Sequence, residues 1–133
     1  MAKEDLIYQV KSMLSIFPDA RNSDITLTIK LWENFYPSMI HNSERLGEVV
    51  RIIDLFDLPR EDNIKRIRAK IQNEERLYLP TDIKVFVERA RASDEWRKFL
   101  GYRIHKLPEV MTDADIEMAI EEYLSTPTQT KLL

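Results

Sequence analysis

The chain has 133 residues, with 20 Lys and Arg residues against 23 Asp and Glu residues and a formal net charge of −3. It contains no cysteine, which excludes a disulfide framework, cysteine-ligated zinc and a cysteine nucleophile. It has no run of about 18 apolar residues and no basic-then-apolar N-terminus. We therefore expect a cytoplasmic protein without a membrane span.

Glycine is scarce, with two residues in the whole chain. Hairpins and barrels use glycine where the backbone needs a positive φ, whereas the abundant Glu, Lys, Arg, Leu and Ile favour helices. The composition predicts an all-α fold of about six helices. We expect one compact domain over residues 1–124 and a flexible tail at 125–133.

Apolar residues at three- and four-residue steps predict a first helix from Lys3 to Phe17. Its expected inward residues are Leu6, Val10, Met13, Leu14 and Phe17. A second helix should begin near Ser23 or Asp24, with Asn22 or Ser23 as its N-terminal cap. Its expected inward residues are Ile25, Ile29, Trp32, Phe35 and Tyr36. The β-branched residues of this segment leave a strand as the alternative.

A third helix is predicted over 43–56, and a fourth from Pro59 to about Arg76. Proline suits the first turn of a helix because its missing N–H has no partner there. Glu61 and Asp62 follow, and acidic residues in a first turn complement the helix dipole. The buried face of the fourth helix is predicted to carry three isoleucines, Ile64, Ile67 and Ile71.

Leu77–Pro80 is short, apolar and ends in proline, so we expect an extended connector. A fifth helix is predicted over Asp82–Arg91, with Thr81 as its cap. Its expected inward residues are Ile83, Phe86, Val87 and Ala90. A shorter helix should begin after Ser93 and end at Gly101. Its expected inward residues are Trp96, Phe99 and Leu100.

Residues 102–108 are expected to be extended. The segment from Thr112 to Asp115 resembles a capping box in which Asp takes the place of Glu or Gln. It opens the last predicted helix. The expected inward residues of that helix are Ile116, Ala119, Ile120, Tyr123 and Leu124.

Charge is distributed unevenly along the chain. Residues 1–58 carry a net charge of −3, residues 59–106 a net charge of +5 and residues 107–133 a net charge of −5. The overall charge gives no reason to expect a nucleic-acid partner, but this asymmetry permits a local basic face in the centre.

The fourth helix carries basic and amide side chains opposite its isoleucines. Arg and Lys neutralise phosphates or read guanine, and Gln and Asn pair with adenine. The helix at 43–56 and the break at 57–59 would supply the first helix and the turn of a helix-turn-helix or winged-helix motif. A solvated helix face is the alternative, and Glu74 and Glu75 count against DNA. The predicted DNA contacts are Lys65, Arg66, Gln72, Asn73 and Arg76.

A second basic cluster is interleaved with aromatic residues. Its basic members are Arg89, Arg91, Arg97, Lys98, Arg103 and Lys106. The aromatic rings of Trp96, Phe99 and Tyr102 would suit stacking on single-stranded bases. The three-residue spacing of Trp96 and Phe99, next to Leu100, instead favours a place in the core.

No sequence motif indicates catalysis. The chain lacks a glycine-rich phosphate loop, a nucleophile elbow and the HExxH zinc motif. His41 and His105 have no neighbour at metal-ligand spacing. Asp113, Asp115 and Glu117 stand at the start of a helix, where acidic residues are expected for the dipole. We therefore expect a non-enzymatic protein that needs no metal and no cofactor.

The segment from Leu58 to Glu74 reads LPREDNIKRIRAKIQNE. It resembles a pattern, roughly LPxxExIxRxRxKIQ, in small proteins of bacteriophages and prophages, most of which have no assigned activity. Arg21–Asp24 and Tyr78–Thr81 match the flanking parts of that pattern. The sequence departs from the pattern at one place, where Asp62 and Asn63 stand around the positions of its acid and a polar residue. The resemblance implies a viral or prophage origin and no particular activity.

These observations predict a phage protein that binds nucleic acid, as a helix-turn-helix-like regulator or a replication accessory. One alternative is an adaptor whose acidic helices, above all 113–124, contact a basic host or viral protein. Another is a virion assembly protein. No heptad seam specifies an oligomeric state.

Overall fold

The computed structural model describes residues 3–37 and 58–125. Within those ranges the protein contains six α-helices and no β-strand, which confirms the all-α prediction. The helices are α1 (Lys3–Ile16), α2 (Asp24–Phe35), α3 (Glu61–Asn73), α4 (Ile83–Arg91), α5 (Asp94–Ile104) and α6 (Asp113–Ser125). Two short 3-10 turns lie at Pro18–Arg21 and Pro108–Val110. The helix predicted over 43–56 lies outside the described residues, as does the predicted tail beyond Ser125.

The fold divides into two compact units between Thr81 and Asp82. The N-terminal unit contains α1, α2 and α3, and the C-terminal unit contains α4, α5 and α6. Each unit buries apolar side chains of its own. The single domain predicted over residues 1–124 stays a prediction.

The core of the N-terminal unit forms where α1 packs against α2 and α3. The inward face predicted for α1 is confirmed, with Phe17 partly buried at its end. The buried members of the cluster are Leu6, Val10, Met13, Leu14, Ala20, Leu27, Leu31, Ile64 and Ile71. Since these residues come from all three helices, the core holds the three helices together.

A buried ion pair joins α2 to α3. The guanidinium Nε of Arg68 donates to Oδ1 of Asp24, and Nη2 donates to Oδ2, both at 2.9 Å. The two side chains are only 6% and 17% exposed. Because two N–H donors of the planar guanidinium engage both carboxylate oxygens, the pair constrains the relative rotation of the two helices as well as their separation.

The inward face of α2 differs from the prediction. Ser23 caps the helix as expected, accepting a hydrogen bond from the Thr26 N–H at 3.2 Å, and the strand alternative is wrong. Ile25 and Ile29 were expected to be inward but are 64% and 46% exposed. The ion pair turns the Asp24 side of α2 toward α3, so different residues are buried. These are Leu27, Thr28 and Leu31.

Trp32 attaches α2 to the segment that precedes α3. Its indole Nε1 donates to the carbonyl oxygen of Pro59 at 2.9 Å. Trp32, Phe35 and Tyr36 are partly buried against the core of the N-terminal unit. Their inward placement agrees with the prediction.

Edge-to-face aromatic contacts form the centre of the C-terminal unit. The Trp96 ring lies 5.0 Å from Phe86, 5.7 Å from Phe99 and 5.7 Å from Tyr123, measured between ring centroids. Trp96 is 1% exposed, so it belongs to the core as its spacing predicted. Of the inward residues predicted for α6, four are buried, whereas Leu124 lies at the edge of the buried face and is 51% exposed.

The C-terminal end of α5 also differs from the prediction. Gly101 does not end the helix; α5 continues to Ile104, and His105 caps it with a left-handed φ of 58°. Residues 102–104 are therefore helical rather than extended. Gly101 instead allows the backbone carbonyl of Lys106 to approach α5 closely, because a Cβ at this position would lie 2.6 Å from the Lys106 carbonyl oxygen.

We predict that Arg68→Met lowers the free energy of unfolding by about 3 kcal/mol, because it leaves the largely buried Asp24 carboxylate without its partner. Urea denaturation measures this loss. Lys11→Met is the control, since the Lys11–Glu75 pair at 3.1 Å is much more exposed and should contribute less than about 1 kcal/mol. Equal losses in the two variants would contradict the role given to Arg68.

We predict opposite effects for two substitutions at the end of α5. Helix propensity alone would make Gly101→Ala stabilising by about 1 kcal/mol. The contact with the Lys106 carbonyl oxygen should reverse the sign and lower stability by about 2 kcal/mol. His105→Gly should raise stability by about 1 kcal/mol, because glycine adopts the left-handed cap without strain. Thermal denaturation of both variants checks the two signs.

Candidate nucleic-acid interface

The buried face of α3 is wider than the isoleucine pattern indicates. Ile64 and Ile71 are buried as predicted, and Ile67 is partly buried. Arg68 and Gln72 are buried beside them. The outward face of α3 is therefore narrower than it would be if only the three isoleucines pointed inward.

Gln72 is part of the interior and is removed from the predicted interface. Its side chain is 1% exposed. Nε2 donates to the carbonyl oxygen of Tyr78 at 2.8 Å and to that of Arg21 at 3.3 Å. An amide that is buried and occupied in this way has no free edge for an adenine base.

Arg76 and Asn73 are placed differently from the prediction. Because α3 ends at Asn73, Arg76 lies beyond the helix, half-buried and with a left-handed φ of 55°. Tyr78 is left-handed too, with a φ of 50°, so the connector is not fully extended. The side-chain oxygen of Asn73 is buried and has no hydrogen-bond partner among residues 3–37 and 58–125.

The loop after α3 is attached to the turn before α2. Asn22 Nδ2 donates to Thr81 Oγ1 at 2.8 Å, and the Thr81 N–H donates to Asn22 Oδ1 at 2.8 Å. Thr81 therefore does not cap α4. Asp82 takes that role, accepting a hydrogen bond from the Lys84 N–H at 2.9 Å.

Three basic side chains remain on the outside of α3: Lys65, Arg66 and Lys70 are exposed. None of them forms an ion pair or a hydrogen bond with another side chain in the described part of the protein. We call these three residues the cationic face. Lys70 is absent from the predicted contacts, although its position four residues after Arg66 places it on the same side of the helix.

Acidic residues limit the cationic face at both ends. Glu61 and Asp62 are exposed in the first turn of α3. Glu74 and Glu75 follow its last turn, and Glu75 pairs with Lys11. The positive charge is therefore confined to the two middle turns of the helix.

The second basic cluster is largely neutralised within the C-terminal unit. Arg91 pairs with Asp113 at 3.0 Å, Arg103 with Glu122 at 2.7 Å and Lys106 with Asp115 at 2.8 Å. Arg97 donates to the Pro108 carbonyl oxygen at 3.0 Å. Arg103 also lies 5.3 Å from the centroid of the Tyr123 ring. Because Trp96 is buried, the base-stacking alternative for this cluster loses its central ring.

The capping box predicted at the start of α6 is confirmed. The Asp115 N–H donates to Thr112 Oγ1 at 3.1 Å, and the Thr112 N–H donates to Asp115 Oδ2 at 3.0 Å. The hydrogen bond from Lys106, followed by that from Thr112, lowers the pKa of Asp115 below the usual value for aspartate. Asp115 and Asp113 therefore serve as partners of basic residues within the unit.

The described residues offer no metal site: no group of three or more His, Asp or Glu residues among them could hold an ion. His105 is the cap of α5, and His41 lies outside the described ranges. In the same ranges, no helix is sufficiently long and apolar to span a bilayer.

Comparison with known proteins finds no match to this chain, whether among protein-family models, curated proteins or solved structures. A functional proposal therefore depends on the geometry of the chain itself. Among the predicted contacts, Lys65 and Arg66 are exposed, Gln72 is buried, Asn73 is half-buried and Arg76 lies outside the helix.

We predict that acid weakens the C-terminal unit partly through Asp115. Its folded pKa lies below its unfolded pKa, so its contribution to stability is present above the unfolded pKa near 3.9 and is lost as pH falls through the folded pKa. Asp115→Asn should therefore flatten the fall in melting temperature between about pH 5 and pH 2. Glu121→Gln, at an exposed position of the same helix, is the control and should leave the wild-type pH profile in place.

Proposed function

We propose that this chain is a non-enzymatic, nucleic-acid-binding protein of phage or prophage origin, and that it binds through the cationic face of α3. The observation that supports this proposal is the set of three exposed basic residues, Lys65, Arg66 and Lys70, without acidic partners among the described residues. Binding to phosphates would release condensed counterions from the nucleic acid, which favours association at low salt.

The contrast with the C-terminal unit strengthens the choice of α3. There, Arg91, Arg103 and Lys106 each contact a carboxylate. A paired cation must give up its partner before it can bind a phosphate, whereas an unpaired cation exchanges only water and counterions. The cationic face is therefore the better site for a polyanion.

The interior contacts of α3 support the same choice. The buried pair to Asp24 and the buried amide of Gln72 hold one side of the helix against the core. The cationic face therefore points outward before any partner arrives. Its backbone is already helical and does not have to become ordered on binding. A preformed surface loses less entropy on binding than a flexible segment does.

The resemblance of residues 58–74 to a phage and prophage pattern is the basis for the proposed origin. It would place the protein in the cytoplasm of an infected cell, as a helix-turn-helix-like regulator or a replication accessory. The first helix of that motif, predicted over 43–56, falls outside the described residues.

The adaptor alternative depended on the acidic last helix. Within α6, Asp113, Asp115 and Glu122 are engaged by basic residues of the same unit. Only Glu117 and Glu121 remain as exposed acids without a described partner. The face available to a basic protein partner is therefore smaller than the sequence suggested.

We predict that Arg66→Ala with Lys70→Ala weakens binding to a labelled 20-base-pair duplex at least tenfold at about 50 mM salt, because two phosphate contacts are lost. Fluorescence anisotropy measures the affinity, and circular dichroism checks that the helices are retained. The matched control is Lys84→Ala with Lys98→Ala, which removes the same charge from exposed positions of the C-terminal unit.

Two outcomes would contradict the proposed function. Wild-type protein that gives no anisotropy change at low salt, where non-specific affinity is strongest, would show that the chain does not bind duplex DNA. Equal losses in the α3 variant and the control variant would show that overall charge, not the cationic face, is responsible.

A further inference from the structure

We infer that the cationic face recognises the phosphate backbone of duplex DNA and not its base sequence, with a footprint of about three phosphates. This inference rests on the proposed function and adds to it the part of the nucleic acid that is recognised. It departs from the sequence-based expectation, which gave two amide side chains a role in reading adenine.

Neither of the two amide side chains expected to read adenine exposes its whole amide group. Gln72 is 1% exposed, and its Nε2 donates to two backbone carbonyls. Asn73 has its side-chain oxygen buried. Recognition of adenine needs the amide oxygen and the amide nitrogen together on one exposed edge, which neither residue offers.

The N-terminus of α3 carries negative charge. Helices that read the major groove present their N-terminal residues to the base edges. The first turn of α3 instead carries Glu61 and Asp62, both exposed. Their carboxylates would repel the phosphates that line the groove, so α3 lies side-on against the backbone rather than end-on in the groove.

The cationic face is short. From Lys65 to Lys70 the helix rises by about 7.5 Å. A duplex presents about four phosphate charges over that distance, counting both strands. The three cations on this length, with Glu61 and Asp62 before them and Glu74 after them, give about three phosphate contacts.

The composition of α3 favours a double-stranded over a single-stranded nucleic acid. Single-strand binding without sequence preference relies on aromatic side chains that stack on the bases. The sequence of α3 contains no aromatic residue, and Trp96, the central ring of the other basic cluster, is buried. A regular array of phosphates on a duplex is therefore the better partner for the cationic face.

Arg66 is the one member of the cationic face with a guanidinium fork that can pair with guanine. If the fork serves only as a charge, a lysine at the same place will replace it. Arg66→Lys is therefore the variant that separates backbone binding from base reading. It keeps the charge and removes the bidentate geometry.

The test measures binding of the full chain to 20-base-pair duplexes of unrelated sequence at a series of salt concentrations, with fluorescence anisotropy as the readout. We expect a plot of the logarithm of the association constant against the logarithm of the salt concentration to have a slope of about −2.7. This slope corresponds to an affinity that falls about 40-fold between 50 and 200 mM salt. Affinities for an A·T-rich and a G·C-rich duplex should agree within about threefold, and Arg66→Lys should bind within about threefold of wild type.

The outcomes separate this inference from the proposed function. Absence of binding at low salt would overturn both. Binding with a slope steeper than about −5, with a preference above about tenfold for one duplex, or with a loss above about tenfold in Arg66→Lys would overturn the inference and leave the proposed function standing. Tighter binding to a single strand of the same length would overturn it as well.

Discussion

The buried ion pair between Arg68 and Asp24 is the contact on which the placement of α3 depends. Its two hydrogen bonds favour the rotation of the helix in which Arg68 faces Asp24. Turning α3 away from that rotation would leave an arginine without a partner in the interior. The free-energy cost of such an unpaired buried charge is larger than the stabilisation that an exposed ion pair provides. The orientation of the cationic face is therefore a consequence of a contact made on the opposite side of the helix.

Features that depend on near neighbours were predictable from the sequence. The inward face of α1 follows from apolar spacing alone. Ser23 and Ser93 cap α2 and α5 by accepting hydrogen bonds from N–H groups three residues ahead. The capping box between Thr112 and Asp115 has the same local character. In each of these caps, the two hydrogen-bonded residues lie within one turn of helix of each other.

Features that depend on distant partners were not predictable. Arg68 finds its partner 44 residues away, and Gln72 bonds a carbonyl 51 residues away. The sequence pattern gave no reason to bury Arg68, and it placed Gln72 on the outward face, where it does not lie. That error shifted the expected outward face away from Lys70, which the predicted contacts therefore omitted. The requirement for glycine at position 101 was also not predictable. The carbonyl oxygen of Lys106, which leaves no room for a Cβ there, lies in a turn that no sequence signal indicates.

Trp32 and Trp96 are the two tryptophans of the chain, and they lie in different units. Trp32 is half-buried, with its indole hydrogen-bonded to a backbone carbonyl, whereas Trp96 is enclosed by aromatic rings. Their emission should therefore differ in wavelength and in quenching. Each unit thus carries a native optical probe, and single-tryptophan chains would reveal whether the two halves melt together or in succession without any added dye.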